Sequence, residues 1–595
     1  MDPEESYGGT GIISTGDVSP ARRKMTPWQS VAEALVAEGI EVLFGLPSDP
    51  PQLYDDLDTL HEQGRIRVVG VRHEVSGPFM AMAYARVTGR PAACYASSGP
   101  GVANLVTGVL EAYSGCTPML VLGVRAPRTH FGMGAFQELD QVTLLRSITK
   151  WATTIETPEL VPWTMRRAVQ IATTGRPGPV YVELPADIGA EPAEIPAYEP
   201  ANRAFRPGPD GQAVQAAAKL IAAAKRPLIV TGGGTIASGA GEAIARFAHK
   251  FGVPVQTTPG GRGSVAETDP LFCGLVGLYR TSFPKRVYEA ADLIITVGAQ
   301  MEEFQGGFLP RNPSSKYIQI EIDAFAIGRN WNPDVALQAD ARLAVQALDA
   351  ALTEIGVRPD PALVEEIKEG REQAIADAQR EVKASMDDGS MPMQGKAIVS
   401  EINRVFGRDT IICNENGSQD LWSYYWPYYQ VLDTGCCVPP AEQTAMGLGV
   451  TGAVAAKIAA PQKKVVCTTG DGAFTMTAHE LGTAAQERIG ATWVVLDDHA
   501  LGWVQWMQRR MSPGGRVFAT DLNPPFDVVT AAAAAGWQGA RVSSPSELAT
   551  CLEQALQANE RGVPFVIDVP VDQSHHHAEF ELFHGVEPAP GSGLA

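Results

Sequence analysis

Short apolar runs alternate with helix-like stretches along most of the chain. In the first third, the runs "AACYA" (92–96) and "PMLVLGV" (118–124) have the length and composition of buried strands. A Thr-x-x-Gln capping box beginning at Thr26 predicts a helix ahead of them. Because continuous apolar strands joined by helices are typical of parallel sheets covered on both faces, the pattern predicts an α/β fold.

The same alternation starts again twice, after stretches rich in proline, alanine or charged residues. "DLIITVGAQ" (292–300) belongs to the second series of strands, and "KKVVCTT" (463–469) and "ATWVVLD" (491–497) belong to the third. We therefore predict three doubly wound parallel-sheet domains. The predicted division is a disordered tail over 1–24, domains over 25–195, 205–356 and 395–572, a linker over 357–394 and a C-terminal arm over 573–595.

Composition and charge exclude several classes of partner. The 595 residues carry a formal net charge of −20, which disfavours binding to nucleic acids and anionic membranes. No apolar run approaches the ~20 residues of a membrane span. The eight cysteines show no Cys-x-x-Cys spacing, and the N-terminus lacks the apolar core of a secretory signal. We expect a cytoplasmic protein with reduced thiols.

A pair of aspartates follows two of the strands predicted in the third domain. Asp471, between Gly470 and Gly472, ends one apolar run, and Asp498 comes directly after the next. Ligands of open parallel sheets bind at the carboxyl ends of the strands, and Mg²⁺ commonly binds through one or two carboxylates plus phosphate oxygens. The glycines let the backbone approach a phosphate. The spacing therefore predicts a magnesium and phosphate site.

The same segment carries a resemblance to a known family. Gly-Asp-Gly with a later polar pair resembles the thiamine-diphosphate-binding motif, and "VVLDDHALGWVQ" resembles the "NNxALGMV" segment of acetolactate synthases. Asp497 and Asp498 replace the paired asparagines, which leaves the metal preference open. In the first domain, "GVRHEVSGPFMAMAYARVTGRP" resembles the segment that carries the family's cofactor-activating glutamate, and "SSGPGVANLVTGVLEAYSGCTPMLVLGV" resembles the family's "SGPGATNLVTGIAxAxxDSxPxVxxxG" segment.

The resemblance implies a set of site residues. Glu74 is expected to hydrogen-bond the aminopyrimidine of the cofactor, and Gln137, in "GAFQELDQ", to approach the active site. In "TAMGLGV", Met446 is expected to wedge the two cofactor rings, and the carbonyl of Thr444 to accept from the amino group. The expected diphosphate and metal contacts are Asn416, Ser418, Gln419, Gly470, Asp471, Gly472, Ala473 and Asp498, with Mg²⁺ on Asp471, Asp498 and the carbonyl of Ala500.

Two segments have alternative interpretations. Gly232, Gly233 and Gly234 follow a strand of the central domain, where the resemblance allows FAD or the ADP part of coenzyme A, although the tight turn of the fold also explains them. His575, His576 and His577 lie where relatives have an arm over the active site. They could transfer protons, but the composition favours a solvated polar tail.

The resemblance implies a thiamine-diphosphate-dependent carbon–carbon lyase or carboligase that acts on a small 2-oxo acid through an acyl-carbanion intermediate. A 2-hydroxyacyl-CoA lyase producing formyl-CoA is an alternative with the same cofactor, and an inactive cofactor-binding scaffold is an alternative of another class. By the same resemblance, active sites lie between subunits of a homodimer or homotetramer.

Overall fold

The structure is a computed structural model that describes residues 21–46, 52–203, 206–307 and 312–585. Most of the tail predicted over 1–24 lies outside the described residues. Ordered backbone nevertheless begins before the predicted boundary, because Arg22–Met25 pair antiparallel with Ala193–Pro196.

The first domain contains a six-stranded parallel sheet and this small antiparallel ribbon. The order of the large sheet is β3-β2-β4-β5-β7-β6, and β1 pairs with β8. The strands are β1 (Arg22–Met25), β2 (Val42–Gly45), β3 (Arg67–Gly70), β4 (Ala92–Ala96), β5 (Met119–Arg125), β6 (Trp151–Thr154), β7 (Pro179–Pro185) and β8 (Ala193–Pro196).

The central and third domains each contain one further six-stranded parallel sheet. The order is β11-β10-β9-β12-β13-β14 in the central domain and β16-β15-β17-β18-β20-β19 in the third. The central strands are β9 (Pro227–Thr231), β10 (Val255–Thr257), β11 (Phe272–Leu275), β12 (Leu293–Val297), β13 (Lys316–Glu321) and β14 (Val335–Gln338). The third-domain strands are β15 (Thr410–Asn414), β16 (Cys437–Val438), β17 (Lys464–Gly470), β18 (Thr492–Asp497), β19 (Gln538–Arg541) and β20 (Phe565–Pro570). The prediction of three parallel-sheet domains is confirmed.

Helices connect the strands of every sheet. The first domain has α1 (Pro27–Ala37), α2 (Gln52–Glu62), α3 (Ser76–Thr88), α4 (Pro100–Asn104), α5 (Val106–Ser114), α6 (Gln141–Leu145), α7 (Val161–Thr173) and α8 (Ala186–Gly189). The central domain has α9 (Gly211–Ala223), α10 (Gly233–Ser238), α11 (Gly241–Phe251), α12 (Ser282–Ala290) and α13 (Ala341–Glu354), and α14 (Pro361–Asp388) follows it. The third domain and arm have α15 (Gly395–Phe406), α16 (Leu448–Ala459), α17 (Asp471–Met476), α18 (Leu481–Gln486), α19 (Gly502–Met511), α20 (Val528–Ala534), α21 (Leu548–Glu560) and α22 (Ala578–Phe583).

Local sequence signals explain several of these elements. Thr26 Oγ1 accepts from the backbone of Gln29, whose side chain accepts from Thr26 N–H, so the predicted capping box is confirmed. Among the described residues, no helix combines the length and apolar character needed to cross a membrane.

The first and third domains pack directly on each other through α3 and α16. At their crossing, a β-carbon built on Gly452 would lie 3.2 Å from Ala83 Cβ, so small residues allow the two helices to approach closely. One apolar core extends through all three domains, and a second lies on the other face of the first sheet. The segments predicted to hold a cofactor are thus joined to a shared core.

Candidate functional site

Three carboxylates meet at the carboxyl ends of β17 and β18, which are adjacent parallel strands. Asp471 opens α17 directly after β17, Asp497 is the last residue of β18, and Asp498 follows. Asp471 and Asp497 are only 6% and 5% exposed. This is the placement that the apolar runs predict.

Burial and mutual repulsion raise the pKa values of two of these carboxyls. Burial, followed by the charges of Asp498 and Asp497, raises the pKa of Asp471 to about 9. Burial raises the pKa of Asp498 to about 6, although the backbone N–H of Ala500 opposes the shift. A cation would relieve this repulsion, because it stabilises the ionised forms.

The set of possible metal ligands is larger than the sequence suggests. One carboxylate oxygen each from Asp471 and Asp497 and one ring nitrogen of His499 lie within 4.8 Å of one another. His499 Nδ1 is 2.7 Å from an Asp497 oxygen, and His499 has a positive φ of 54°. Neither Asp497 nor His499 is among the predicted ligands, because the family resemblance assigns only the second aspartate of the pair to the metal. The run Asp-Asp-His was the available signal.

Beside the carboxylates, a group of buried polar atoms has no hydrogen-bond partner among the described residues. The group includes Asn416 Nδ2, Ser418 Oγ and both amide atoms of Gln419. A β-carbon built on Gly502, the first residue of α19, would lie 2.8 Å from Ser418 Oγ. Buried polar groups are nearly always paired, so unpaired ones clustered at strand ends indicate a ligand. Hydroxyl and amide donors beside acidic metal ligands fit a diphosphate with its cation.

The loop before α16 brings two further predicted residues to this place. Met446 Cε lies 3.7 Å from the position of a β-carbon on Gly472, so the methionine borders the Gly-Asp-Gly turn. Thr444 has a positive φ of 50°, which is rare for a β-branched residue. Glu415 stabilises the end of the loop by accepting from Gly447 N–H at 3.0 Å, and burial raises the pKa of Glu415 to about 7.

In the first domain, Glu74 and Gln137 both contact the turn and short helix that follow β4. Glu74 is 8% exposed and accepts from Asn104 Nδ2 at 2.9 Å. Gln137 accepts from Ser98 Oγ at 3.0 Å and has a positive φ of 55°. A β-carbon on Gly99 would lie 2.7 Å from the Gln137 carbonyl oxygen, so the turn tolerates only glycine there.

Comparisons with known proteins agree with this geometry. Residues 25–144 match the family described as "Thiamine pyrophosphate enzyme, N-terminal TPP binding domain", residues 214–348 match the central domain, and residues 415–569 match the C-terminal TPP binding domain. The chain is 32% identical to a probable acetolactate synthase large subunit of Methanococcus aeolicus, covering 92% of each chain. It is 30% identical to the acetolactate synthase large subunit of Haemophilus influenzae, covering 93% of this chain and 96% of the relative.

The chain belongs to the acetolactate synthase family of thiamine-pyrophosphate-dependent enzymes. The family resemblance predicted from the sequence is therefore confirmed, as is thiamine diphosphate as the cofactor of its domains. The roles of individual residues stay predictions.

Two of the three consecutive glycines in the central domain allow close approach of the backbone. A β-carbon on Gly232 would overlap the carbonyl oxygen of Gly298, and one on Gly234 would lie 2.8 Å from Gly298 Cα. These approaches join the ends of β9 and β12. They explain Gly232 and Gly234 by the tight-turn alternative, whereas a β-carbon on Gly233 would lie 3.6 Å from its nearest neighbour, the Gly260 carbonyl oxygen.

The C-terminal arm is packed against the protein up to residue 585, the last residue that the structure describes. His576 and His577 are 3% and 5% exposed, and burial lowers the pKa of each to about 4, so both are neutral near pH 7. Glu579 pairs with Arg280 and Lys285 of the central domain. Over the described residues 573–585, the expectation of a solvated polar tail is wrong, because aromatic and ionic contacts absent from the local sequence pattern hold this part of the arm.

Proposed function

We propose that this acetolactate synthase family member binds thiamine diphosphate with Mg²⁺ and joins or cleaves carbon–carbon bonds of a small 2-oxo acid. The observation that carries the proposal is the group of unpaired buried polar atoms beside the acidic cluster of Asp471, Asp497 and Asp498. When bound, the cofactor supplies an electron sink for breaking a bond next to a carbonyl. The protein supplies binding, orientation and proton transfer.

At the diphosphate end, residues that follow strands of the third sheet provide hydrogen-bond donors for phosphate oxygens and acidic ligands for the metal. Asn416, Ser418 and Gln419 carry free donors for phosphate oxygens. The backbone from Gly470 to Ala473 is proposed to border the diphosphate, and the N–H groups of Gly470 and Gly472 donate to Asp420 and Asp471 in the cofactor-free protein. Asp471, Asp498 and the carbonyl of Ala500 are the proposed Mg²⁺ ligands. An ion held there would offset the negative charge of the carboxylates and of the diphosphate, so metal and cofactor are expected to bind together.

At the other end, side chains orient and activate the rings. Met446 lies beside the Gly-Asp-Gly turn and is proposed to hold the rings bent, with the Thr444 carbonyl accepting from the amino group. Glu74, nearly buried, is proposed to share a proton with the pyrimidine nitrogen. Gln137, next to the Glu74 segment, is proposed to face the substrate.

We further propose that a second copy of the chain completes the site. Large apolar side chains are exposed close to Gln137 in the first domain and after α19 in the third domain: Phe136 is 85% exposed, Met133 76% and Phe518 76%. Apolar groups this exposed favour burial by a partner. A homodimer, or a tetramer built from two dimers, would cover them.

The experiment that tests the proposal is the Glu74→Gln variant. It should bind thiamine diphosphate within about threefold of the wild-type affinity, because the diphosphate contacts are unchanged, while exchange of the cofactor C2 proton slows about 10²–10⁴-fold. The exchange is followed by NMR. Glu41→Gln, which removes a surface ion pair with Arg90 in the same domain, is the matched control. Normal C2 exchange in Glu74→Gln would remove Glu74 from the mechanism.

Substrate assays separate the alternatives that share the cofactor. Pyruvate consumption without coenzyme A supports a carboligase, whereas formyl-CoA release from 2-hydroxyacyl-CoA supports the lyase. Cofactor binding without turnover of any 2-oxo acid or acyl-CoA would indicate a scaffold. The absorbance spectrum and mass of the purified protein test for FAD, ADP or coenzyme A in the central domain.

A further inference from the structure

The first and third domains each send one buried carboxylate to the backbone of the other. Glu111, on α5 of the first domain, is fully buried. Its two oxygens accept from the N–H groups of Ala441 and Ala445 in the third domain, at 2.5 and 3.1 Å. These residues lie in the loop that carries Thr444 and Met446.

Glu480 makes the reverse contact. This third-domain residue is 3% exposed, and one of its oxygens accepts from the N–H groups of Arg72 and His73 at 2.8 and 3.1 Å. The two residues directly precede Glu74. Each carboxylate therefore holds a segment that leads into a proposed cofactor contact of the other domain.

The two contacts are related by the shared topology of the domains. β4 and β17 occupy the same place in their sheets. Glu111 comes after α4 and Glu480 after α17, and α4 and α17 are the first helices after these strands. β3 and β16 are equivalent edge strands, and the held segments follow those strands. The segments then enter α3 and α16, the helices that cross between the domains. A repeated arrangement at equivalent positions argues against a chance contact.

The loop held by Glu111 has a backbone conformation that needs external support. Thr444 lies between the two N–H donors and has a positive φ of 50°, a region that a β-branched residue occupies only when its surroundings impose it. Within the loop, Thr444 N–H donates to the Ala441 carbonyl at 3.0 Å. The carboxylate of Glu111 thus fixes both flanks of the strained residue.

We propose that Glu111 is a positioning residue, which holds the Ala441–Met446 loop from the first domain so that the Thr444 carbonyl and the Met446 side chain meet the cofactor rings. Glu480 is its counterpart for the Glu74 segment. The chemical consequence of this inference rests on the proposed function. The two hydrogen bonds from Ala441 and Ala445 to Glu111, called the latch below, are present in the protein without cofactor.

The latch is tested first in the cofactor-free protein. Glu111→Gln keeps the size of the side chain but turns one acceptor into a donor, so amide hydrogen exchange within 439–447 should accelerate at least about tenfold. Glu487→Gln is the matched control, because Glu487 joins the same two domains through a half-buried ion pair with Arg67. Unchanged exchange over 439–447 in folded Glu111→Gln would overturn the proposal. If that variant does not fold, Glu111→Asp, which keeps both acceptors but shortens the side chain, takes its place.

The positioning role is tested with thiamine diphosphate and Mg²⁺ added. Glu111→Gln should bind the cofactor within about threefold of wild type yet slow C2 proton exchange and kcat by up to about 10²-fold, because a small misplacement of the rings is costly. KM should change little. Normal C2 exchange in a variant with a loosened loop would overturn the positioning role. Failure of the wild-type protein to bind the cofactor would instead refute the proposed function, and the exchange of the loop amides would still decide the latch.

Discussion

The third and central domains both place glycines at the end of a buried parallel strand, yet the surroundings of the two turns differ. Around Gly470, the nearest atom to an added β-carbon is an Asp420 oxygen at 3.7 Å, and unpaired polar groups lie nearby. Around Gly232, an added β-carbon would overlap the backbone of Gly298. A glycine turn therefore indicates a ligand only where its neighbours leave space and unsatisfied polar atoms.

The largest expected effect concerns Asp471, the aspartate of the third-domain glycine turn. Asp471→Ala should weaken Mg²⁺-dependent binding of thiamine diphosphate by more than about 100-fold, because losing even an outer partner of a metal ligand commonly costs 10–100-fold. Calorimetry measures the affinity with and without Mg²⁺. Asp323→Ala, which follows strand β13 of the central sheet, should leave the affinity unchanged. Normal affinity in Asp471→Ala would remove the metal site from the third domain.

A smaller effect distinguishes the two glycine turns by how much an alanine in each lowers the free energy of unfolding. Gly232→Ala should destabilise the protein by about 1–3 kcal/mol, because the new methyl group would displace backbone of Gly298. Gly470→Ala should stay within about 0.5 kcal/mol of wild type, since space is open there. Denaturant unfolding of the two variants side by side gives the difference. Equal losses would contradict the contrast between a packed turn and an open one.

The last effect concerns the pH dependence of the stability of the metal-free protein. The folded-state pKa values of Asp498 and Asp471, about 6 and about 9, exceed the value of 3.8 for an unperturbed aspartate. Between pH 4 and 9 the folded state therefore holds more protons than the unfolded state. The stabilisation that these two protonated carboxyls contribute is complete below pH 4 and is lost as the pH rises through 6 and 9. Thermal midpoints in chelator should fall accordingly, and Asp471→Asn should flatten the decline. A midpoint that rises between pH 6 and 9 in the metal-free wild type would exclude the raised pKa values.

Mg²⁺ should change the sign of this dependence, since it binds the ionised carboxylates. With Mg²⁺ and thiamine diphosphate present, the thermal midpoint should rise with pH over the same interval. The same titration on Gly232→Ala should show the wild-type slope from a lower starting midpoint, because the central turn contains no carboxylate.

The order of apolar runs and glycines was sufficient to predict three parallel sheets and the meeting of Asp471 with Asp498. Both are consequences of local patterns, since a strand ends where its apolar run ends and neighbouring parallel strands end at one edge. The family resemblance added Glu74 and Met446, whose motifs are contiguous in the chain.

Folding alone determined the parts that depend on residues far apart in sequence. Glu111 meets Ala441 and Ala445 across more than 300 positions, and nothing in the local pattern of α5 distinguishes it from a solvated glutamate. The burial of His576 and His577 likewise depends on aromatic rings from α19 and from the loop after β15. Hydrophobic periodicity predicts which face of a helix or strand is buried. The residues that cover a polar group, in contrast, depend on how whole domains pack against each other.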